Sequence, residues 1–269
     1  MERGLQFSLG VRIGGIIRDA GIRRPPVDLF KVAIRCGVRS ILIREMIPRG
    51  GLECIEGGFN IYIRGEEESE YVLPAIEPPD LTTRQRFSLA HELAHSLYYV
   101  QRGKGRPTLR SQPKNGKTLE TLCDENAAKL IVPVELLRPK VAESVELCHE
   151  KVVALAQEFR ASPETVLRQI GLVGCSAINR AVLLVEPTEG GADVRASWVG
   201  TGLMSLFSPP REFHRITREH PVLGDAIQWH RRGEWEKTIS GRTLKITRTN
   251  ESGKRRRYFI EAVEVYTIT

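Results

Sequence analysis

Long hydrophobic runs are missing from this chain of 269 residues. None approaches the roughly 18 uninterrupted apolar residues of a membrane-spanning helix. The longest, Ser40–Ile43 and Arg180–Val185, are strand-sized. Cysteine is scarce: Cys36, Cys54, Cys123, Cys148 and Cys175 are odd in number, widely spaced and never in a C-x-x-C pair. Such a set excludes a disulfide framework and reads as reduced, mostly structural thiols. The glycines follow no triplet period, so the chain is not collagen-like, and neither an internal repeat nor a low-complexity tract is found. An export signal is lacking as well. Arg3 and Arg12 are basic, but Gly10, Gly14 and Gly15 break the apolar pieces and no small-residue cleavage site follows. These absences predict a cytoplasmic protein without a membrane partner.

What is present suits a folded protein. A hydrophobic content of 41% with 27% charged residues builds a real core and excludes wholesale disorder. The length accommodates one large domain or two modest ones. The net charge of +7 is spread over both halves. Its only tight basic cluster, Lys254, Arg255, Arg256 and Arg257, reads as a solvated hairpin tip rather than a phosphate-binding patch. Direct DNA binding is therefore not expected, and no helix-turn-helix is recognised.

Pattern divides the chain near residue 174. Before it, Pro26–Cys36 has helical spacing, Ser40–Ile43, Phe59–Ile63 and Tyr71–Ile76 read as strands, and Gly57–Gly58 as a turn. Thr82 with Gln85 forms a capping box that opens a helix predicted to reach about Val100. Gly103–Lys117 is a loop, and a second helix runs from about Thr118 to Pro133, which opens a short third one. Val145–Phe159 and Pro163–Ile170 read as helices, with Ser162 as the N-cap of the latter. After residue 174 the strand-like runs are Ala181–Val185, Val194–Val199, Thr243–Arg248 and Tyr258–Tyr266. The expected fold class is α+β: residues 1–174 form a domain of a small sheet plus helices, and 175–269 a smaller β-rich domain.

The first long helix carries His91-Glu92-Leu93-Ala94-His95, an H-E-x-x-H pattern. Histidines at i and i+4 leave one face of a helix, so both imidazoles reach a single ion. Glu92 sits one step round, close enough to act as base towards water without being a ligand. Chance supplies about 0.01 such matches in a chain of this composition. A third donor is needed, and Glu120 and Asp124 offer carboxylates at i and i+4 on the second helix. If the two helices pack together, Glu120 completes the site and Asp124 holds the outer N–H of a ligand imidazole. The same spacing also suits a surface charge pair with basic neighbours.

Arg84-Gln85-Arg86-Phe87-Ser88-Leu89-Ala90-His91-Glu92-Leu93-Ala94-His95 resembles the zinc-site helix of the ImmA/IrrE metallopeptidases, R-x-R-F-[TS]-[LI]-A-H-E-[LI]-[GA]-H. The segment Glu120–Pro133 is similar to that family's E-x-x-C-N-x-x-A-x-x-L-L-x-P, with Asp124 where the family often has Asn. The resemblance, over roughly residues 26–172, implies a zincin fold, zinc as cofactor, and His91, His95 and Glu120 as ligands with Glu92 catalytic. It further implies a helix-turn-helix repressor as protein substrate, in a stress or mobile-element response. Phe59–Ile63 would be the zincin edge strand, able to receive an extended peptide. Tyr98, Tyr99, His214, His220 and His230 are the candidates for an additional oxyanion donor, with helix-end packing favoured for the two tyrosines.

An alternative makes the protein a ligand-sensing regulator, with the zincin domain as a docking scaffold. Trp198, Trp229, Trp235, Phe207 and Phe213 would then line a small-molecule pocket in the C-terminal part. The sensory GAF-like domain that follows the peptidase in IrrE-type members has no supporting motif here.

Overall fold

The computed structural model describes residues 12–47, 50–74, 79–100, 105, 108–109, 118–142, 147–173, 179–204, 206–207, 215–228, 233–250 and 257–265. The chain forms two compact units, 1–136 with 157–162, and 137–156 with 163–269. The second unit thus begins ahead of the expected boundary at residue 174. Its helix Pro163–Val173 packs on strand Gly191–Val199, which groups the helix with the strands that follow it.

In the first unit, helix α1 spans residues 12–19 and α2 spans Leu29–Arg35, opened by Asp28, whose carboxylate accepts from the Phe30 and Lys31 amides. Strands β1 (Val38–Arg44), β2 (Gly51–Ile55), β3 (Gly58–Arg64) and β4 (Ser69–Val72) form a sheet in the order β2-β3-β1-β4. β1 and β3 run parallel, with Ile41 beside Ile61 and Ile43 beside Ile63, whereas the outer pairs are antiparallel. Those isoleucines are buried, and helix α3 (Thr83–Ser96) packs on β3.

Phe59–Ile63 is therefore not an edge strand. β3 is interior, and the edges are β2 and β4. The reason is β2, which pairs with β3 through a hairpin whose Gly57 takes φ 78°. Its sequence, Gly-Leu-Glu-Cys-Ile, has no alternation to announce a strand, and most of its residues are only half-buried.

The capping box of α3 is present: Gln85 N–H donates to Thr82 Oγ1 at 3.2 Å and Thr82 N–H to Gln85 Oε1 at 2.9 Å. The helix ends at Ser96 rather than near Val100. Ser96 Oγ donates to the Leu93 carbonyl at 2.6 Å and Arg12 Nη1 to the Leu97 carbonyl at 2.8 Å. With these carbonyls satisfied by side chains, the chain leaves the helix, and Tyr99–Val100 becomes β5, paired with β6 (Thr108–Leu109). The rest of the expected loop 103–117, Gly105 apart, lies outside the described residues.

Helix α4 (Leu119–Ile131), capped by the Thr118 hydroxyl, packs on α3. Helices α5 (Val134–Ala142), α6 (His149–Phe159) and α7 (Pro163–Val173) follow. Among the described residues no helix is long and apolar enough to cross a membrane.

The second unit holds an antiparallel sheet of β7 (Arg180–Thr188), β8 (Gly191–Val199), β9 (Arg215–Thr217), β10 (Gly233–Ile239), β11 (Arg242–Asn250) and β12 (Tyr258–Val265), in the order β10-β11-β12-β7-β8-β9. The β10–β11 hairpin turns on Ser240 and Gly241, both at positive φ. One sheet face contributes Leu183, Val185, Leu244, Ile246 and Ile260 to a core shared with Leu203, Phe207, Val222, Leu223 and Ala226 of the segment between β8 and β10. Phe207 and Trp235 belong to this side, but Trp198 stands opposite Val182, outside that core, so the expected aromatic set does not line one pocket. Trp229, Phe213 and the Lys254–Arg256 part of the basic cluster lie outside the described residues. Arg257 is not solvated. It is held by Glu164 at 2.8 Å and Glu186 at 3.4 Å.

Candidate metal centre

Helix α3 presents His91 and His95 from one face, and α4 brings Glu120 and Asp124 against them. The sequence-predicted residues all meet here. His91 Nε2 lies 3.1 Å from His95 Nε2 and 3.2 Å from Glu120 Oε2, while His95 Nε2 lies 3.3 Å from Glu120 Oε1. Ligand atoms at about 2.0–2.1 Å from a tetrahedral ion stand about 3.3 Å apart. The three contacts have about that length, those to Glu120 made by its two different oxygens, so the donor set fits a small divalent cation.

The protonation states agree with this geometry. His91 Nδ1 is 2.8 Å from Asp124 Oδ1, an acceptor, so the ring proton sits on Nδ1 and Nε2 keeps its lone pair. Burial, assisted by the neighbouring His91, lowers the His95 pKa and favours the neutral form of that ring. Both imidazoles are only 15% exposed, whereas the Glu120 side chain is 66% exposed. The centre therefore opens on the α4 side.

Glu92 lies beside this cluster and outside it. Its residue is 6% exposed, and burial pushes the carboxyl up to about 7, with Glu120 adding to the rise and His91 opposing it. A nearby divalent cation would draw that value down again. The position of Glu92 depends on a residue that the sequence did not single out. A Cβ on Gly50 would stand 2.8 Å from Glu92 Oε1 and 3.0 Å from the Tyr62 carbonyl. Only glycine lets the chain pass so close at the start of β2, and no local signal announces it.

Other motif residues hold the helix in place. Arg86 is buried and donates from Nη2 to the Val27 carbonyl at 2.9 Å and from Nε to the Arg160 carbonyl at 3.3 Å. Its role is to anchor α3. Tyr98 Oη accepts from Asn126 Nδ2 at 3.0 Å, tying α4 to the chain after α3, in keeping with helix-end packing. Tyr99 stacks edge-on against Phe59 and borders the groove. His220 Nδ1 accepts from the Val222 and Leu223 amides in a turn of the second unit, and His214 and His230 lie outside the described residues. Cys123 is fully buried, and its thiol is raised by burial first and then by the carboxylates of Glu120, Glu92 and Asp124. It is a protonated packing residue rather than a ligand. Cys175 lies outside the described residues.

An open groove of about 1340 Å³ runs past the cluster, bordered by Gly50, Gly51 and Leu52 on one side and by Phe87, Ser88 and Tyr99 on the other. A second group of metal-ligating type, His149, Glu150 and Glu261, lies in the second unit. There the His149 ring nitrogen and backbone amide already serve the two carboxylates, so the group reads as a hydrogen-bonded cluster that fixes the start of α6 to β12.

Residues 76–170 match the sequence profile of the family described as the IrrE N-terminal-like domain, Peptidase M78. The match holds α3 and α4 with all four clustered side chains and Glu92, but neither of the two larger sheets. A search of curated proteins gives no match. Residues 76–170 are thus similar to the IrrE N-terminal-like domain of the Peptidase M78 family.

Proposed function

We propose that the chain is a zinc-dependent endopeptidase that hydrolyses a peptide bond in a protein substrate, a helix-turn-helix transcriptional repressor of a stress or mobile-element response. The observation that carries the catalytic reading is the convergence of His91 Nε2, His95 Nε2 and Glu120 Oε at 3.1–3.3 Å, with the buried Glu92 carboxylate alongside. His91, His95 and Glu120 would hold the ion, and Asp124 would fix the His91 ring with its lone pair inward. Zinc, once bound, supplies Lewis-acid polarisation of a carbonyl and acidifies water.

The remaining work falls to the chain's own groups. Glu92 takes one proton from the attacking water and returns it to the leaving nitrogen as the C–N bond breaks. The groove is larger than the usual ~300–1,000 Å³ of small-molecule pockets, which favours a polymer substrate. The edge of β2, at the groove's border, is available to an extended peptide by main-chain hydrogen bonds. The repressor rests on the likeness of Arg84–His95 and Glu120–Pro133 to the ImmA/IrrE motifs.

The test is co-expression with a helix-turn-helix repressor from the same genome as candidate substrate. The wild type is expected to cleave it. Glu92→Gln should keep fold and metal content and lose roughly 10²–10⁴-fold in rate, the usual contribution of general base catalysis. Full activity in that variant removes the mechanism. Glu120→Ala is expected to lose zinc by elemental analysis; unchanged metal content would place the third ligand elsewhere.

A further inference from the structure

The second unit contains a buried charge that meets no counter-charge among the described residues. Alternation along β11 puts Arg248 on the same face as Leu244 and Ile246, inside the apolar core. The residue is 2% exposed. Its guanidinium lies 3.6 Å from the centroid of the Tyr258 ring, and Nη1 reaches the Ala226 carbonyl at 3.3 Å. Nε is buried without a hydrogen-bond partner, and so is the Tyr258 hydroxyl. Among the described residues no carboxylate stands within ion-pairing distance of Arg248.

The other enclosed arginines show how unusual this is. Arg257, in the same unit, has two carboxylates. Arg86, in the first unit, donates to two carbonyls. A cation over an aromatic ring recovers part of the lost hydration, but a buried guanidinium normally has a counter-charge and full use of its donors. Two unsatisfied donors, one charged and one phenolic, on adjacent strands and facing one core form half of a recognition site. The missing half must be negative and must accept hydrogen bonds. The Nε edge of a guanidinium is a planar two-donor fork, which matches the two oxygens of a carboxylate or phosphate.

We propose that the interior of the second unit binds a small oxyanion, carboxylate or phosphate, seated on the Nε edge of Arg248 with the Tyr258 hydroxyl as a further donor. The site shares no residue with the His91–His95–Glu120 cluster and stands whether or not the peptidase reading holds.

The experiment is thermal unfolding of the full chain with chloride replaced stepwise, at constant ionic strength, by inorganic phosphate or by acetate. A binder of the folded state raises the midpoint with a saturable dependence, and about 100 mM suffices for millimolar affinity. The wild type is expected to show that rise with at least one of the two anions. The effective anion tells a phosphate-bearing ligand from a carboxylate one. Arg248→Met should abolish the rise and, in chloride alone, melt no lower than the wild type, because an unpaired buried charge gives way to an apolar chain of similar length. Arg248→Lys keeps the charge but loses the fork, and its affinity should fall at least tenfold. It carries the test should Arg248→Met fail to fold. No saturable rise with either anion overturns the proposal. So does an equal rise in the variants, or an Arg248→Met protein that folds but melts well below wild type in chloride, which would make the arginine purely structural.

Discussion

At position 50 a hydrogen atom stands where any other residue would place a carbon 2.8 Å from the Glu92 carboxylate. Gly50→Ala is therefore expected to displace the base, and the Tyr62 carbonyl at 3.0 Å leaves the new methyl little room on the other side. Displacement of a catalytic group by about 1 Å can remove two orders of magnitude of rate. Gly50 supplies no donor to the cluster of His91, His95 and Glu120, so zinc content should stay at the wild-type level. Steady-state kinetics beside elemental analysis check this; a variant with wild-type kcat would show that Glu92 tolerates the shift. The convergence of His91, His95, Glu120 and Asp124 was legible from the chain. The i, i+4 spacing of His91 and His95 fixes their common face, and Glu120 and Asp124 repeat that spacing on the next helix. Gly50 was not, because its constraint comes from a side chain far along the sequence and leaves no local trace.

Helices are read from signals that lie within a few residues, and here the capped starts were read well, whereas α2 and α6 begin at Leu29 and His149 rather than at Pro26 and Val145. Thr82 with Gln85, Thr118, and Ser162 before Pro163 each mark a first turn that the structure contains. Ends were harder. α3 stops at Ser96 because Arg12, distant in sequence, satisfies a carbonyl that would otherwise favour another turn. Strands whose burial is set by neighbours were missed for the same reason: β2 is only partly buried, and β9 and β10 have no long apolar alternation. The cap of α3 yields a prediction of its own. Thr82→Ala removes the acceptor for the Gln85 amide and should destabilise the protein by about 1 kcal/mol, measured as a lower urea midpoint. His91 lies two turns further along, so zinc affinity should be unchanged. A variant that loses zinc as well would mean that fraying at the cap reaches the metal-binding turns.

On the scale of the molecule, composition gave a folded chain of mixed class but not where its two compact units part, because α7 reads as one more helix until its packing on β8 is seen. The first unit concentrates like-signed and lone-pair groups at one spot: two imidazole nitrogens and the Glu120 carboxylate converge within 3.3 Å, with buried Glu92 nearby. Without a cation that arrangement repels itself, while the bond from Asn126 to Tyr98 ties α4 to the chain after α3. A cation that binds only the folded state stabilises it by RT ln(1 + [L]/Kd), about 4 kcal/mol at a thousandfold excess over Kd. Chelation should therefore act locally before it acts globally. Hydrogen exchange followed by mass spectrometry is expected to show faster exchange across Thr83–Ser96 and Leu119–Ile131 after treatment with a chelator. Exchange in β11 and β12 should stay as it was, since no donor of the cluster lies in the second unit. Equal loss of protection in those strands would mean that the cation supports the whole chain rather than the helices that hold it. Unchanged protection in α3 and α4 would mean that they meet without its help.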